Sequence, residues 1–409
     1  MRLYRLFGRK VFHIQPDLER IKKALKDIGN PHEKFRSILI SGTNGKGSTA
    51  YYIESLLRSH GLKTGLFTSP HILEENERWQ INSTNIRDEI LESYIRDLKQ
   101  IIKKYDLTYF EASTLIAFKY FCDECVDTAV LEVGLGGRWD ATNVVYPEVS
   151  VITNVSLDHT HILGNSLKDI TEEKLGITRK DRPLVIGSDQ IEIISQAVLK
   201  GIREIYHYPI GFTYHIKGNT MDYTFKDKKI TDLKTSLIGE RQLSNAATGL
   251  TAFLIYSEKA KIKVDEPIIK KALRECFIPG RMQVISEDPL VIVDGAHNEE
   301  ALIKTLNEIK KSYTDKKIIS IFSCMKDKNF IKLFSILRQN CKKIIATTIP
   351  VERSITEKEI SQLKDIYFFK DLMDAFGKAV QEYDKETVIL VTGSLYLVSE
   401  FLKNFDKSK

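Results

Sequence analysis

Ser37-Ile-Leu-Ile-Ser-Gly-Thr-Asn-Gly-Lys-Gly-Ser-Thr49 decides the fold of this 409-residue chain. Ser37 to Ile40 is a short apolar run of strand length. It enters a turn with glycines at 42, 45 and 47. From Ala50 to His60 the apolar residues Ile53, Leu56 and Leu57 then fall on one helical face. A strand, a glycine-rich turn and a helix N-terminus together aim backbone N–H groups at an anion, and the helix dipole adds to their pull. Lys46 can reach the β- and γ-phosphates of a nucleotide. The usual spacing G-x-x-x-x-G-K-[ST] is not kept, because two residues separate Gly42 from Gly45 and Gly47 follows Lys46. The Mg²⁺-binding hydroxyl is therefore displaced to Ser48 or supplied from elsewhere. A turn with a lysine by chance is the plainer reading, and the strand and helix on either side argue against it.

Working outward, strand-like and helix-like patterns alternate. Thr128 to Leu131 and Val149 to Ile152 read as buried strands, and the stripe from Ile90 to Ile102 reads as a helix. Between Gly211 and Gly239 alternating Tyr, Ile, Thr and Phe predict antiparallel strands, and Ser244 to Tyr256 predicts a helix. After Pro279-Gly280 a β/α alternation begins, with strands at 290–293, 318–322, 344–348 and 388–392. At roughly 150 residues per domain the length allows two to three domains. The pattern predicts a larger N-terminal α/β domain and a C-terminal one of about 125 residues, both with mainly parallel sheets, meeting near Pro279-Gly280.

Composition narrows the function classes. Lys plus Arg is 61 and Asp plus Glu is 55, a net charge of +6 that is spread along the chain. That excludes a nucleic-acid tail or a polybasic membrane patch and allows an anionic small substrate. An apolar content of 42% with 22 Gly and 10 Pro excludes a disordered or collagen-like chain. No apolar run reaches the roughly 18 residues of a membrane span. Met1 to Asp17 lacks a signal-peptide core. The 5 cysteines have no framework spacing, so a reducing, cytoplasmic setting is expected.

Other strand ends carry chemistry. Glu132 closes an apolar strand where a Mg²⁺–nucleotide site needs a hard oxygen ligand, although a solvated acid would look the same. Gly134, Gly136 and Gly137 miss the G-x-G-x-x-G pattern, which argues against nicotinamide binding. Asp158-His159 again leaves a strand, and His159 could ligate a metal or serve other ends. Lys174 by itself reads as a solvated helix lysine. Asp294 ends the first strand of the C-terminal domain, where open α/β sheets bind ligands; it could equally cap the following helix. Cys122 and Cys125 form a lone CxxC, too little for zinc. Tyr109 and Phe110 read as core, or as a stacking pair for a planar ring.

Taken in order, these segments resemble the folylpolyglutamate synthase/dihydrofolate synthase family of the Mur ligase superfamily. The matching pieces begin with Gly29-Asn-Pro-His32, Ser41 to Thr49, Thr68-Ser-Pro-His71 with Asn76-Glu-Arg78, and Tyr109-Phe-Glu111. They continue with Leu131 to Val144, Asn154 to Gly164, Glu173-Lys174 with Gly176-Ile177, and Gln242 with Asn245. The last are Pro279-Gly-Arg281, Asp294 to Asn298, Lys326-Asp-Lys328 and Val391 to Tyr396.

The resemblance implies an α/β fold with a P-loop, Mur-ligase-type ATPase domain, residues 1–282, and a smaller Rossmann-like C-terminal domain, residues 283–409, with the boundary near Met282 placed by Arg281 and Asp294. It implies ATP-dependent ligation of L-glutamate to dihydropteroate or a folate through an acyl phosphate, in a cleft between domains. By similarity Thr43, Asn44, Gly45, Lys46, Gly47, Ser48 and Thr49 would hold ATP, with Asn245, Arg281 and Asp294 also contacting it. Ser69 and Glu132 would bind one Mg²⁺. His159 would bind a second, with Lys174 carbamylated by CO₂ as an oxygen ligand. Lys46, His159 and Lys174 would be catalytic. Tyr109, Phe110, Asp140, Ala141 and Thr142 would line the pterin side. A cytoplasmic monomer with small-molecule partners is expected, without nucleic acid or membrane.

Four departures bear on the substrate more than on the chemistry. Trp139 replaces a smaller aliphatic residue, Thr178-Arg179 an apolar-Lys pair, and Ser323 and Asn329 the commoner Gly and Asp. Glu352-Arg-Ser354 matches the glutamate-side region weakly. The competing expectations are a cell-wall-precursor ligase of the same superfamily and a nucleotide-binding module without turnover.

Overall fold

The computed structural model describes all residues except 1, 9–12, 14, 327, 352, 353, 364, 365 and 406–409. Asp327 of the Lys326–Lys328 motif, Glu352 and Arg353 of the glutamate-side motif, and part of the Met1–Asp17 segment thus lie outside the described residues. The chain divides into two compact units. The first is Met1–Ser236 with Gln242–Cys276, and the second is Leu237–Arg241 with Phe277–Lys409. The second unit therefore starts ahead of Pro279-Gly280. It also takes in the first residues of the helix Glu240–Ala260.

In the first unit eight strands form one sheet. They are β1 (Arg36–Ser41), β2 (Thr64–Phe67), β3 (Trp79–Ile81), β4 (Thr84–Asn85), β5 (Thr128–Glu132), β6 (Val149–Ile152), β7 (Leu184–Ile186) and β8 (Ile205–His207). Their order is β4-β3-β2-β5-β1-β6-β7-β8, antiparallel only where β3 meets β2 and β4. The parallel strands are apolar on both faces, as Ile38, Leu39 and Ile40 show by being fully buried, because helices cover both sides. β1 lies between β5 and β6, and the chain runs from it toward both edges. The carboxyl ends of β1, β5 and β6 therefore open at the switch point, where open α/β sheets take ligands.

A separate antiparallel sheet follows, with β9 (Thr213–Lys217), β10 (Thr220–Phe225) and β11 (Lys228–Leu233) in the order β11-β10-β9. Met221, Tyr223 and Phe225 of β10 point inward at the period of two that the sequence displays. The Tyr223 hydroxyl meets Thr251 Oγ1 at 2.7 Å, which ties this sheet to the helix Glu240–Ala260.

The second unit holds β12 (Gln283–Glu287), β13 (Leu290–Asp294), β14 (Lys317–Phe322), β15 (Lys343–Thr347), β16 (Tyr367–Phe369) and β17 (Thr387–Thr392). Their order is β12-β13-β17-β14-β15-β16, with β12 antiparallel at one edge. The core strands lie where the apolar runs predict. β12 and β16 are additions: β12 is half-buried and has no apolar run, and β16 is only 3 residues long. The segment after β15 forms only a short helix, Glu357–Ile360, rather than a full β/α repeat.

Leu131, fully buried in central β5, tests this arrangement. Leu131→Ala should cost about 2–5 kcal/mol through lost transfer energy and a cavity. Both tryptophans, Trp79 and Trp139, belong to the first unit, so their fluorescence reports its unfolding. The urea midpoint should fall clearly; an unchanged midpoint would contradict a central β5.

Candidate active site

The turn after β1 is shaped by what lies against it. Gly42 and Gly45 have φ of 148° and 85°, so both need glycine's backbone freedom. A Cβ on Gly42 would sit 1.9 Å from Thr153 Oγ1, and one on Gly45 would sit 2.4 Å from Asn245 Oδ1. The segment leaving β6 holds the turn in place. Thr43 N–H donates to the Asn154 carbonyl at 2.9 Å and Asn44 N–H to Asn154 Oδ1 at 3.1 Å. Thr153 Oγ1 and Asn154 Nδ2 donate to the Asn44 carbonyl at 2.7 and 3.0 Å. The helix begins at Lys46, not Ala50, so Lys46, Gly47, Ser48 and Thr49 are its first turn. Their N–H groups are the ones a helix leaves for an anion. Thr49 Oγ1 is buried without a hydrogen-bond partner.

Glu132 ends β5 and is 5% exposed. Its Oε2 accepts the Ser69 N–H at 3.0 Å, and a Cβ on Gly47 would lie 3.3 Å from the same oxygen. Ser69, Glu132 and the phosphate turn therefore converge. The missing hydroxyl after Lys46 leaves room for this carboxylate. Among the described residues no group of three or more His, Cys, Asp and Glu side chains could hold a metal. Mg²⁺ on a nucleotide needs no such cage, because phosphates and water fill most of its octahedron. Ser69 and Glu132 beside the turn fit that pattern.

Lys174 ends the helix Leu167–Lys174 and is 3% exposed, not solvated. Its Nζ donates to the Gly42 carbonyl at 2.9 Å. Lys46 Nζ donates to the same carbonyl at 3.1 Å and to that of Thr43 at 3.3 Å. Burial above all, then the Lys46 charge, pulls the Lys174 amine down to about 7, against a weaker opposing pull from Asp158. A neutral, nucleophilic amine is thus available at neutral pH. His159, with φ of 50°, heads the short helix Thr160–Leu163, and its Nε2 lies 3.9 Å from Asp158 Oδ1.

The residues expected on the pterin side are mostly interior. The Tyr109 hydroxyl donates to Glu75 at 2.8 Å, and burial pushes its phenol well above the usual range. Half-buried Phe110 packs on Gly134, where a Cβ would come 2.6 Å from its Cζ. Asp140, Ala141 and Thr142 are buried. Asp140 accepts N–H bonds from Gly134, Leu135 and Thr142 at 3.0, 3.1 and 3.0 Å, and burial nevertheless raises its pKa. These residues build the Gly134–Asp140 turn more than they present a surface.

Asn245 belongs to the first unit, beside Gly45; Arg281 and Asp294 belong to the second. Asp294 is fully buried at the end of β13. Its Oδ2 accepts from Met282 N–H at 2.9 Å and Arg241 Nη2 at 3.0 Å. Its Oδ1 accepts from Ala296 N–H at 3.1 Å and Thr305 Oγ1 at 2.8 Å. Burial alone would raise its pKa, but Arg241 and then Arg281 hold it below the usual carboxylate value. It does not cap the next helix; Asn298 does, accepting from Ala301 N–H at 2.9 Å. Arg241 was not foreseen, because it lies in no motif. The only signal was that a buried strand-end aspartate needs a cation.

Two predictions follow from this geometry. Gly42→Ala should weaken nucleotide binding at least about tenfold, since the turn must open to admit the Cβ. Fluorescent-nucleotide titration checks it, and unchanged affinity would contradict the turn's role. Second, the buried amine binds its proton less tightly than in the unfolded chain. Folding therefore releases a proton between about pH 7 and the usual lysine value of 10.5, and stability gains across that window. In CO₂-depleted buffer the urea midpoint should rise from about pH 7 to about pH 9 in the wild type relative to Lys174→Met. Parallel curves would show that the amine is not so perturbed.

Known proteins place the chain. The Mur ligase middle domain profile matches residues 40–253, and the Mur ligase, glutamate ligase domain profile matches residues 280–395. A Bacillus subtilis dihydrofolate synthase/folylpolyglutamate synthase is 31% identical over 97% of this chain and 97% of its own length. E. coli FolC in complex with DHPP and ADP aligns at a TM-score of 0.92 and 26% identity, covering 100% of this chain and 98% of that one. A Yersinia pestis bifunctional folylpolyglutamate synthase/dihydrofolate synthase complexed with AMPPNP and Mn ion aligns at 0.90 and 28%, covering 99% and 98%. With the phosphate turn, the strand-end carboxylate and the buried lysine in place, this chain belongs to the dihydrofolate synthase/folylpolyglutamate synthase family of Mur ligases, ATP-dependent enzymes that ligate glutamate.

Proposed function

We propose that this enzyme joins L-glutamate to dihydropteroate, to a reduced folate, or to both, and that it works through a carbamate on Lys174. The observation that carries this reading is the pair of amines on the Gly42 carbonyl. An ammonium on buried Lys174 would repel the half-buried Lys46 ammonium, which favours the neutral amine. When that neutral amine adds to CO₂ and releases a proton, a neutral group becomes an anion, which Lys46⁺ attracts. The same step supplies a hard oxygen ligand for Mg²⁺.

The residues then divide the work. Thr43, Asn44, Gly45, Lys46, Gly47, Ser48 and Thr49 take the triphosphate, with Asn245 beside Gly45. Ser69 and Glu132 would hold one Mg²⁺, and His159 with the Lys174 carbamate a second; such ions would supply charge neutralisation for phosphoryl transfer. A carboxylate is a poor electrophile until it carries phosphate as a leaving group. The glutamate amine then attacks the acyl carbon, and phosphate departs as the amide forms. The chain's own part is to position and to neutralise. Arg281 is assigned to the nucleotide, and Asp294 positions it rather than touching ATP. All five cysteines are free, in keeping with a reducing, cytoplasmic setting.

An ADP-release assay offering dihydropteroate, tetrahydrofolate and tetrahydrofolyl-monoglutamate separately tests the reading. Release should require both glutamate and one of these acceptors; release driven by a muropeptide precursor would overturn it. Lys174→Ala should lose at least about a hundredfold in kcat, with no rescue by bicarbonate and partial rescue by a short carboxylate such as propionate. Full activity in that variant would sink the carbamate.

A further inference from the structure

We propose that the Trp139 indole is the surface on which the aromatic ring of the acceptor stacks while the acceptor's carboxylate is held at the Gly42–Lys46 turn. This rests on the ligase reading above and adds a specificity-determining residue to it. Trp139 is 49% exposed, whereas Trp79, the other tryptophan, is fully buried. A large exposed indole on a mobile loop would mean little. This turn is pinned on every side.

The Gly136 carbonyl accepts from Ser41 Oγ at 2.6 Å, which fixes the turn to the end of β1. A Cβ on Gly137 would lie 2.8 Å from the carbonyl oxygens of both Glu173 and Lys174, so the turn lies directly against the helix end that carries the reactive amine. Immediately before the indole, Arg138 N–H donates to the Glu173 carbonyl at 2.9 Å. Immediately after it, the buried Asp140 carboxylate gathers the three N–H groups described above. Trp139 is thus an exposed side chain on a turn whose backbone is bonded to the end of β1 and packed against the end of the helix that carries Lys174.

Its surroundings favour a small aromatic occupant. A Cβ on Gly136 would come 2.9 Å from Leu163 Cδ2, so the turn also touches the segment that bears His159. In that segment Leu157 and Ile162 are 57% and 39% exposed. Trp139, Leu157 and Ile162 are thus exposed apolar side chains on two touching segments, one packed against the end of the Lys174 helix and the other bearing His159. The acceptor has the complementary pattern. In a pteroate the reacting carboxylate is bonded directly to a benzene ring, so a site that seats the carboxylate beside phosphate must also seat the ring next to it. Stacking on an indole contributes binding with little loss of rotamer entropy.

The experiment uses the full-length enzyme and dihydropteroate. Acrylamide quenching of wild-type fluorescence reads Trp139, because Trp79 is buried; dihydropteroate should protect it saturably. In Trp139→Leu the acceptor KM should rise roughly tenfold with kcat and the ATP KM within about twofold. Trp139→Tyr should recover most of the affinity, and the urea midpoint of all variants should match the wild type. Unchanged acceptor KM, unprotected Trp139 at saturating dihydropteroate, or a loss confined to kcat or ATP would overturn the inference. If the wild type releases no ADP with any acceptor, the ligase reading fails, while the quenching titration still decides whether Trp139 meets the ring.

Discussion

Two lysine amines on one backbone carbonyl organise the active-site half of this enzyme. Lys46 reaches the Gly42 oxygen from within its own turn, and Lys174 reaches it from a helix that begins far along the chain. For both to arrive, Gly42 must lie flat against Thr153, and Gly137 and Gly176 must let the 134–140 turn close on the Lys174 helix. A Cβ at Gly176 would lie 2.4 Å from Arg138 Cα, so that approach is as tight as the chain permits. The helix itself is secured by a capping box between Ser166 and Asp169. The fold therefore holds a buried amine against a neighbouring cation, an arrangement that favours the neutral form of Lys174.

How much of this was legible follows from how local each feature is. The phosphate turn was readable because its whole logic, strand, glycines and helix start, fits in thirteen consecutive residues, Ser37 to Thr49. Lys174 was not readable from its own neighbourhood. Its burial depends on Gly42 and Gly137, which no periodicity links to it, and only the resemblance pointed there. Asp294 was half legible. Its place at a strand end was clear, but its partners, Arg241, Met282 and Thr305, are scattered through the sequence. The strands β12 and β16 were missed because a half-buried edge and a run of three residues leave no pattern to find. The pterin-side residues were placed by analogy, and packing turned most of them inward.

The departures from the family pattern separate along the same line. Arg179 has a structural use, since its Nη2 bonds the Asn143 carbonyl, Asn143 Oδ1 and the Val145 carbonyl at 3.1, 3.0 and 2.8 Å. One guanidinium fork ties the 143–145 segment down. Ser323 is fully buried at the end of β14's strand run, and a Cβ on Gly393 would lie 2.4 Å from its carbonyl. Arg179 is explained by what it bonds, whereas nothing in the structure explains the Ser323 hydroxyl, which is buried without a hydrogen-bond partner. Trp139 is not explained by packing either, because half of its surface faces outward from a turn whose backbone is bonded on both sides of it.

Charge shows the same locality. The net +6 of the chain is unremarkable for its length, and it does not locate a site. The two units each concentrate positive charge in one place. In the first, Lys46 and Lys174 share an oxygen while the nearest strand-end carboxylate, Glu132, is turned to Ser69. In the second, Arg241 and Arg281 hold the buried Asp294 carboxyl below its usual range, and Glu308 and Glu300 also face Arg241, so that cluster is compensated within the fold. The first is not compensated in the same way, because Glu132 faces Ser69 rather than Lys46. A half-buried charge is screened less than one on the surface, so an anionic reactant at the turn gains more from Lys46 than from an exposed lysine.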